Sequence, residues 1–197
     1  SKLAVHYKSP LKNYLLKQIE TYCVKKINKI IITAQSDEIY LKNLYSKFFN
    51  IKYRVIYNYP CKALIKYNSQ DLRQRYNISK DKIILLYQGV LQHGRGITQL
   101  IQIIQNLKNT NGVIIGNGAH ENHYKQYVKK HHLCSRVYFM DKVPYKQLLS
   151  ITSSADIGIA LIRPLSLSNQ YALPNKLFEF ALSGLPTLAS DLPNIKK

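Results

Sequence analysis

The sequence predicts an α/β protein, a parallel β-sheet with helices packed on both faces, and three observations carry that reading. From residue 83 onward, short apolar runs alternate with helix-length amphipathic stretches, the rhythm of βαβ units. The runs are nearly continuous in apolar residues rather than alternating, as strands covered on both faces should be. Glycines cluster directly after these runs, where turns from strand to helix belong.

Taken in order, residues 10–28 set Leu11, Tyr14, Leu15, Ile19, Tyr22, Cys23 and Ile27 at helical spacing, with lysines on the other face. "KIIITA" (29–34) reads as a buried strand. "SDEIYLKNLY" (36–45) reads as a helix with Ser36 as N-cap and Asp37 and Glu38 in its first turn. "YRVIYNYP" (53–60) is a strand running into a boundary signal, and "SQDLRQRYNISKD" (69–81) predicts a short helix and a turn. The regular part follows: strand "IILLYQGV", helix "GITQLIQIIQNL", strand "GVIIGNG", helix "HENHYKQYVKKHHL", strand "RVYFMD", helix "PYKQLLSITSSA" and strand "DIGIAL". "IRPLSLSNQYA" (162–172) is expected to be a loop. It leads into a helix opened by Pro174, and "PTLAS" is the fifth strand of this part.

With 197 residues, 46% of them hydrophobic, the chain has material for a real core. Lys and Arg number 29 against 10 Asp and Glu, a formal charge of +19. Such an excess fits an anionic partner (nucleic acid, a membrane surface or a phosphorylated substrate) or simply a lysine-rich solvated surface. Residues 1–60 carry 11 of the basic residues and 3 of the acidic ones, so the excess is weighted towards the N-terminal end. Cys23, Cys61 and Cys134 are odd in number and widely spaced, which fits reduced thiols rather than a disulfide framework. No apolar run approaches the ~20 residues that span a bilayer, so the expectation is a soluble protein or one lying on a membrane.

In an open parallel sheet, ligands bind beyond the carboxyl ends of the strands. There the sequence places Gly89, Gly94, Arg95 and Gly96 after the first regular strand, and Gly116, Asn117 and Gly118 after the second. Asp141 and Lys142 follow the third, and the helix headed by Pro174, Asn175 and Lys176 lies before the fifth. Glycines allow close approach of a backbone to phosphate, helix N-termini attract anions, and Arg95 and Lys176 add full charges. In outline this is a diphosphate site. "GVLQHGRG" is not G-x-G-x-x-G and no G-x-x-x-x-G-K-[ST] is present, which argues against a nicotinamide-cofactor site and a P-loop NTPase.

Residues 83–194 resemble the C-terminal, donor-binding domain of GT-B glycosyltransferases, specifically the large retaining group of glycosyltransferase family 4. "LLYQGVLQHGRGITQLI", "GVIIGNG", "RVYFMDKVPYKQLLSITSSADIGIAL" and "LPNKLFEFALSGLPTLASD" carry the resemblance. It implies a Rossmann-like donor domain over 61–197, truncated at its C-terminus, preceded over 1–60 by the tail of an incomplete acceptor-side domain and a linker. It implies further that Arg95 contacts the donor diphosphate as leaving-group stabiliser and that Glu179 holds the nucleotide ribose hydroxyls. Gly116, Asn117, Gly118 and Asp141 would border the nucleotide, Gly89 and Gly96 would belong to the same donor site, and Pro174, Asn175 and Lys176 would face the sugar and diphosphate. The expected reaction moves a hexose from a nucleoside-diphosphate sugar, UDP-sugar favoured, to a glycan or lipid-linked acceptor in bacterial surface polysaccharide synthesis. No cofactor or metal is implied, and the setting would be cytoplasmic, on the anionic inner face of the membrane.

The pattern departs from the family in three places. Tyr171 stands where the first glutamate of the E-x7-E pair belongs, Val90 stands where arginine often follows the first-strand glycine, and most of an N-terminal domain is missing. A fragment inactive by itself, a degenerate glycosyltransferase and a non-catalytic nucleic-acid-binding module are the competing readings. "HENH" (120–123) with His131 and His132 lacks the H-E-x-x-H spacing of a zinc site and reads better as a solvated basic helix face. No D-x-D is present, in keeping with a metal-independent mechanism.

Overall fold

The computed structural model describes residues 10–45, 51–60 and 71–196. Cys61, Ser69 and Gln70 lie outside the described residues. The chain divides into two compact units: Ser1–Asn58 with Pro164–Leu173 and Asp191–Lys197, and Tyr59–Arg163 with Pro174–Ser190. Segments 164–173 and 191–197 fall with the first of these units.

The first unit contains helix α1 (Pro10–Lys26), strand β1 (Lys29–Ile32), helix α2 (Gln35–Leu44) and strand β2 (Lys52–Val55). β1 and β2 pair in parallel, Lys29 opposite Lys52 and Ile32 opposite Val55. The expected buried strand is only half realised: Ile32 is buried, but Ile31 is 69% exposed because a two-stranded ribbon covers little of either face. The apolar set on α1 stays outside as well, with Leu11, Tyr14, Leu15, Ile19 and Tyr22 exposed and only Val24 buried. The N-cap of α2 lies two residues earlier than expected, at Ala34 rather than Ser36, while Asp37 and Glu38 do occupy its first turn. The segment expected as a loop contains a short helix, α7 (Leu167–Gln170), where the Ser166 hydroxyl accepts from the Asn169 N–H.

The second unit holds α3 (Leu72–Tyr76), β3 (Ile83–Gln88), α4 (Ile97–Asn106), β4 (Thr110–Ile115), α5 (Glu121–Lys130), β5 (Val137–Met140), α6 (Tyr145–Thr152), β6 (Ile157–Ala160), α8 (Asn175–Leu182) and β7 (Thr187–Ala189). The five strands are all parallel in the order β5-β4-β3-β6-β7. Order therefore runs outward from β3 in one direction and resumes on its other side at β6, the switch point beyond which such sheets bind ligands.

The alternation of β3 splits the core in two. Leu85 and Tyr87 pack with Ile97, Leu100, Ile101 and Ile104 of α4 and with Tyr124 and Val128 of α5. Ile84 and Leu86 face the other way, onto Leu72, Ile151 and Phe180 of α3, α6 and α8. Gly158 of β6 lets α8 come close, since a Cβ there would meet the Phe180 ring at 2.5 Å. That contact fixes how α8 lies over the sheet and so where its first turn points.

Candidate functional site

At the carboxyl ends of β3, β4 and β5 the second unit opens into a cavity of about 460 Å³. Its floor is Gln88, Gly89 and Val90 after β3 and Ile115, Gly116 and Asn117 after β4. Lys142, Val143 and Leu148 form one wall, and Pro174, Asn175, Lys176 and Glu179 from the start of α8 form the other. Pro174 caps α8 in an extended conformation (φ −75°, ψ 137°), and its side chain makes no cap bond to the first-turn N–H groups. A helix end of this kind attracts an anion.

Two ionisable side chains of α8 are held there in unusual states. Lys176 is half-buried as a residue, but its Nζ is sealed from solvent, has no hydrogen-bond partner among the described residues and rests 3.7 Å from the centre of the Tyr87 ring. Burial, then the positive charge of Arg95, lowers its pKa to about 7 against the opposing pull of Glu179. Glu179 is 8% exposed, and burial raises its pKa, countered by a hydrogen bond from Gln88 and by the Lys176 charge. The Gln88 amide donates from Nε2 to Glu179 Oε2, and the Thr152 hydroxyl lies 2.8 Å from Gln88 Oε1. Tyr87 is fully buried, its hydroxyl donates to the Val90 carbonyl (2.8 Å), and burial raises its pKa. The site thus sets a lysine amine without a hydrogen-bond partner among the described residues, a carboxyl group and a helix N-terminus around one cavity.

Of the residues singled out in the sequence, Gly89, Gly116, Asn117, Pro174, Asn175, Lys176 and Glu179 line this cavity. Arg95, Gly96, Gly118 and Asp141 do not. Arg95 is half-buried and near enough to act on Lys176 and Tyr87 through its charge. Asp141 is exposed. Gly96 and Gly118 are closely packed against the rest of the unit. A Cβ on Gly96 (φ 82°) would meet the Leu161 carbonyl oxygen at 2.2 Å, and one on Gly118 the Leu91 carbonyl oxygen at 2.4 Å. Tyr171 lies in the first unit, its ring 6.1 Å from that of Tyr40.

Sequence reasoning missed Gln88, Thr152, Val143 and Leu148. A polar residue ending an otherwise apolar strand was the available signal for Gln88. Among the described residues no group of three or more His, Cys, Asp or Glu is placed to hold a metal ion. Cys23 and Cys134 are free and exposed. Among the described residues, no helix is long and apolar enough to cross a membrane.

Residues 68–197 match the family described as glycosyl transferases group 1. The chain belongs to that family. No curated protein matches it. Among solved structures, this group 1 chain is similar to sucrose-phosphate synthase from Thermosynechococcus elongatus (21% identity, TM-score 0.68, 94% of this chain and 47% of that one). It is also similar to HepE from Anabaena, solved with UDP and glucose (16% identity, TM-score 0.71, 91% and 49%). The pneumococcal O-GlcNAc transferase GtfA, solved with UDP and GlcNAc, aligns at 17% identity and a TM-score of 0.64 over 89% and 32%. At these identities the likeness concerns the fold. This glycosyl transferases group 1 chain spans about a third to a half of the length of these structures.

Proposed function

We propose that the cavity at the start of α8 binds a nucleoside-diphosphate sugar and that the chain is the donor half of a retaining glycosyltransferase. The carrying observation is the pairing of a buried, unpartnered Lys176 ammonium with a buried Glu179 carboxylate at one helix end over the sheet's carboxyl edge. Membership of glycosyl transferases group 1 supports the reaction class, and the neighbours solved with UDP favour a UDP-sugar as donor.

In this reading the diphosphate takes the place that Lys176 Nζ lacks and accepts from the first-turn N–H groups of α8. Glu179 accepts from the ribose hydroxyls, and the apolar wall of Val143 and Leu148 accommodates the base. The bond between the anomeric carbon and the diphosphate oxygen breaks, and a new bond forms to an acceptor hydroxyl on the same face of the sugar. The charge that develops on the departing diphosphate is held by Lys176 and the helix end, with Arg95 adding to the positive field. The step uses no metal ion. The acceptor is a glycan or lipid-linked sugar of a bacterial surface polysaccharide. Residues 1–60 belong to the acceptor-side domain, and the basic first unit favours the anionic inner face of the membrane.

A thermal-shift panel of UDP-, GDP- and ADP-sugars with this chain tests the reading. A UDP-sugar at a hundred times its Kd should stabilise by about 2.7 kcal/mol, roughly 5–10 °C in Tm. Stabilisation by duplex DNA in low salt, with none by any nucleotide sugar, would replace the enzyme reading with a nucleic-acid-binding one.

A further inference from the structure

Glu179 is useful to a ribose only if it remains a carboxylate and only if its oxygens are aimed. Its surroundings work against the first condition, since it is 8% exposed. Within the same unit, β3 ends on Gln88, 2% exposed, in the one polar position of "IILLYQ". An amide buried there needs partners at both ends. It has them: Nε2 donates to Glu179 Oε2, and Oε1 receives the Thr152 hydroxyl at 2.8 Å, which also lies 2.7 Å from the Leu148 carbonyl one helical turn back.

We propose that Gln88, oriented by Thr152, is a positioning residue that keeps Glu179 ionised and commits Oε2 to the protein, leaving the two lone pairs of Oε1 to receive the ribose hydroxyls. The inference rests on the nucleotide reading above and adds to it a residue from another part of the sheet. Half a turn of the Gln88 amide would set Oε1 against the carboxylate, an arrangement that suits only a protonated Glu179. The single Thr152 proton, given to Oε1 rather than to the Leu148 carbonyl that competes for it, favours the orientation that suits the anion. Among the described residues the charged groups facing Glu179 are Lys176 on its own helix, Lys142 lining the same cavity from the loop after β5, and Arg95 acting by way of Lys176. From α6 the neighbours are Leu148 and Thr152, which do not titrate. Gln88 is therefore the group whose removal should change the state of Glu179 without altering the net charge of the cavity.

The test is a carbon-13 titration of the Glu179 carboxyl in the full chain, native and Gln88→Met, paired with calorimetry of UDP binding across pH. Met keeps the volume and removes the donor. The Glu179 midpoint should move up in the variant, and UDP affinity near pH 7 should fall about tenfold. The acid limb of binding should move up by the same interval as the midpoint, because the carboxylate form is present above the midpoint and lost as pH falls through it. A purely structural role would lower Tm and leave the midpoint where it was. Should Gln88→Met not fold, the native protein still decides: the Gln88 side-chain amide signals should titrate together with the Glu179 carboxyl. An unmoved midpoint in folded Gln88→Met, or Gln88 amide signals indifferent to Glu179, overturns the proposal. Failure of UDP to bind the native chain at any pH is the distinct result that removes the nucleotide reading, and the ligand-free titration does not depend on it.

Discussion

Two charged clusters lie on the second unit, one towards each end of its strands, and they are completed differently. At the amino ends of β3 and β6, Asp156 Oδ2 accepts from Arg73 Nη2 (2.6 Å) and from the Ile84 N–H (2.7 Å). Arg73 also donates to the Ser79 and Lys82 carbonyls (3.0 and 2.8 Å). This pair ties α3 and the turn after it to the sheet. At the carboxyl ends, Lys176 Nζ is sealed off with no partner and Arg95 repels it. The first cluster has its hydrogen-bond partners from the sheet and the turn after α3, whereas Lys176 Nζ meets the face of the Tyr87 ring but, among the described residues, no acceptor. A charge with all its partners supplied serves the fold, and a buried charge left wanting one marks where a ligand belongs.

Substitution on each side should separate the two roles. The largest effect is expected from Lys176→Met. UDP-sugar affinity should fall at least tenfold, about 1.5–3 kcal/mol for a hydrogen bond to a charged partner. The ligand-free protein should become more stable. The sign follows from a folded pKa lowered to about 7 from the usual lysine value. Lysine 176 supports the fold while neutral, at high pH, and that support is lost as pH falls towards about 7. The stability gain of the variant should therefore grow as pH falls from about 10.5 to about 7 and level off below that. In the native chain, UDP-sugar affinity should decline as pH rises above about 7, since the ammonium form is the one that binds. Calorimetry and thermal melts across pH read both. A destabilised Lys176→Met with native affinity would place Lys176 among the structural charges.

A smaller and opposite result is expected at the other cluster. Asp156→Ala should cost about 1–2 kcal/mol, kept low because the Asp156 side chain is 40% exposed. It should leave UDP affinity unchanged within twofold. A matching loss of binding would show that the two ends of the sheet are coupled and that the contrast between them is false.

The uneven legibility of the sequence has the same origin. The strands and helices of the second unit were readable because runs such as "IILLYQ" and "GVII" are buried on both faces, and burial is what hydrophobic pattern reports. The same pattern in α1 gave the helix correctly and its surroundings wrongly, because Leu11 and Ile19 find no core to join. α7 escaped notice as a single turn held by Ser166, too short to show a period. In the site, Lys176 and Glu179 were visible as charges at an otherwise apolar helix start. Gln88 and Thr152 belong to two other elements, 64 residues apart, and only folding shows that they meet. Arg95 stood out by charge, yet the turn around Gly96 holds it beside Lys176 without making it part of the cavity wall.

The central claim is that Glu179 receives a ribose diol. Calorimetry of UDP and 2′,3′-dideoxy-UDP against the native chain and Glu179→Gln tests it most directly. The account predicts that the native chain prefers UDP about tenfold or more and that Glu179→Gln binds UDP more weakly despite a more positive cavity. The preference between the two nucleotides should nearly vanish in the variant. Equal discrimination by both proteins, or tighter UDP binding by Glu179→Gln, would contradict it and leave only a site that attracts anions by charge.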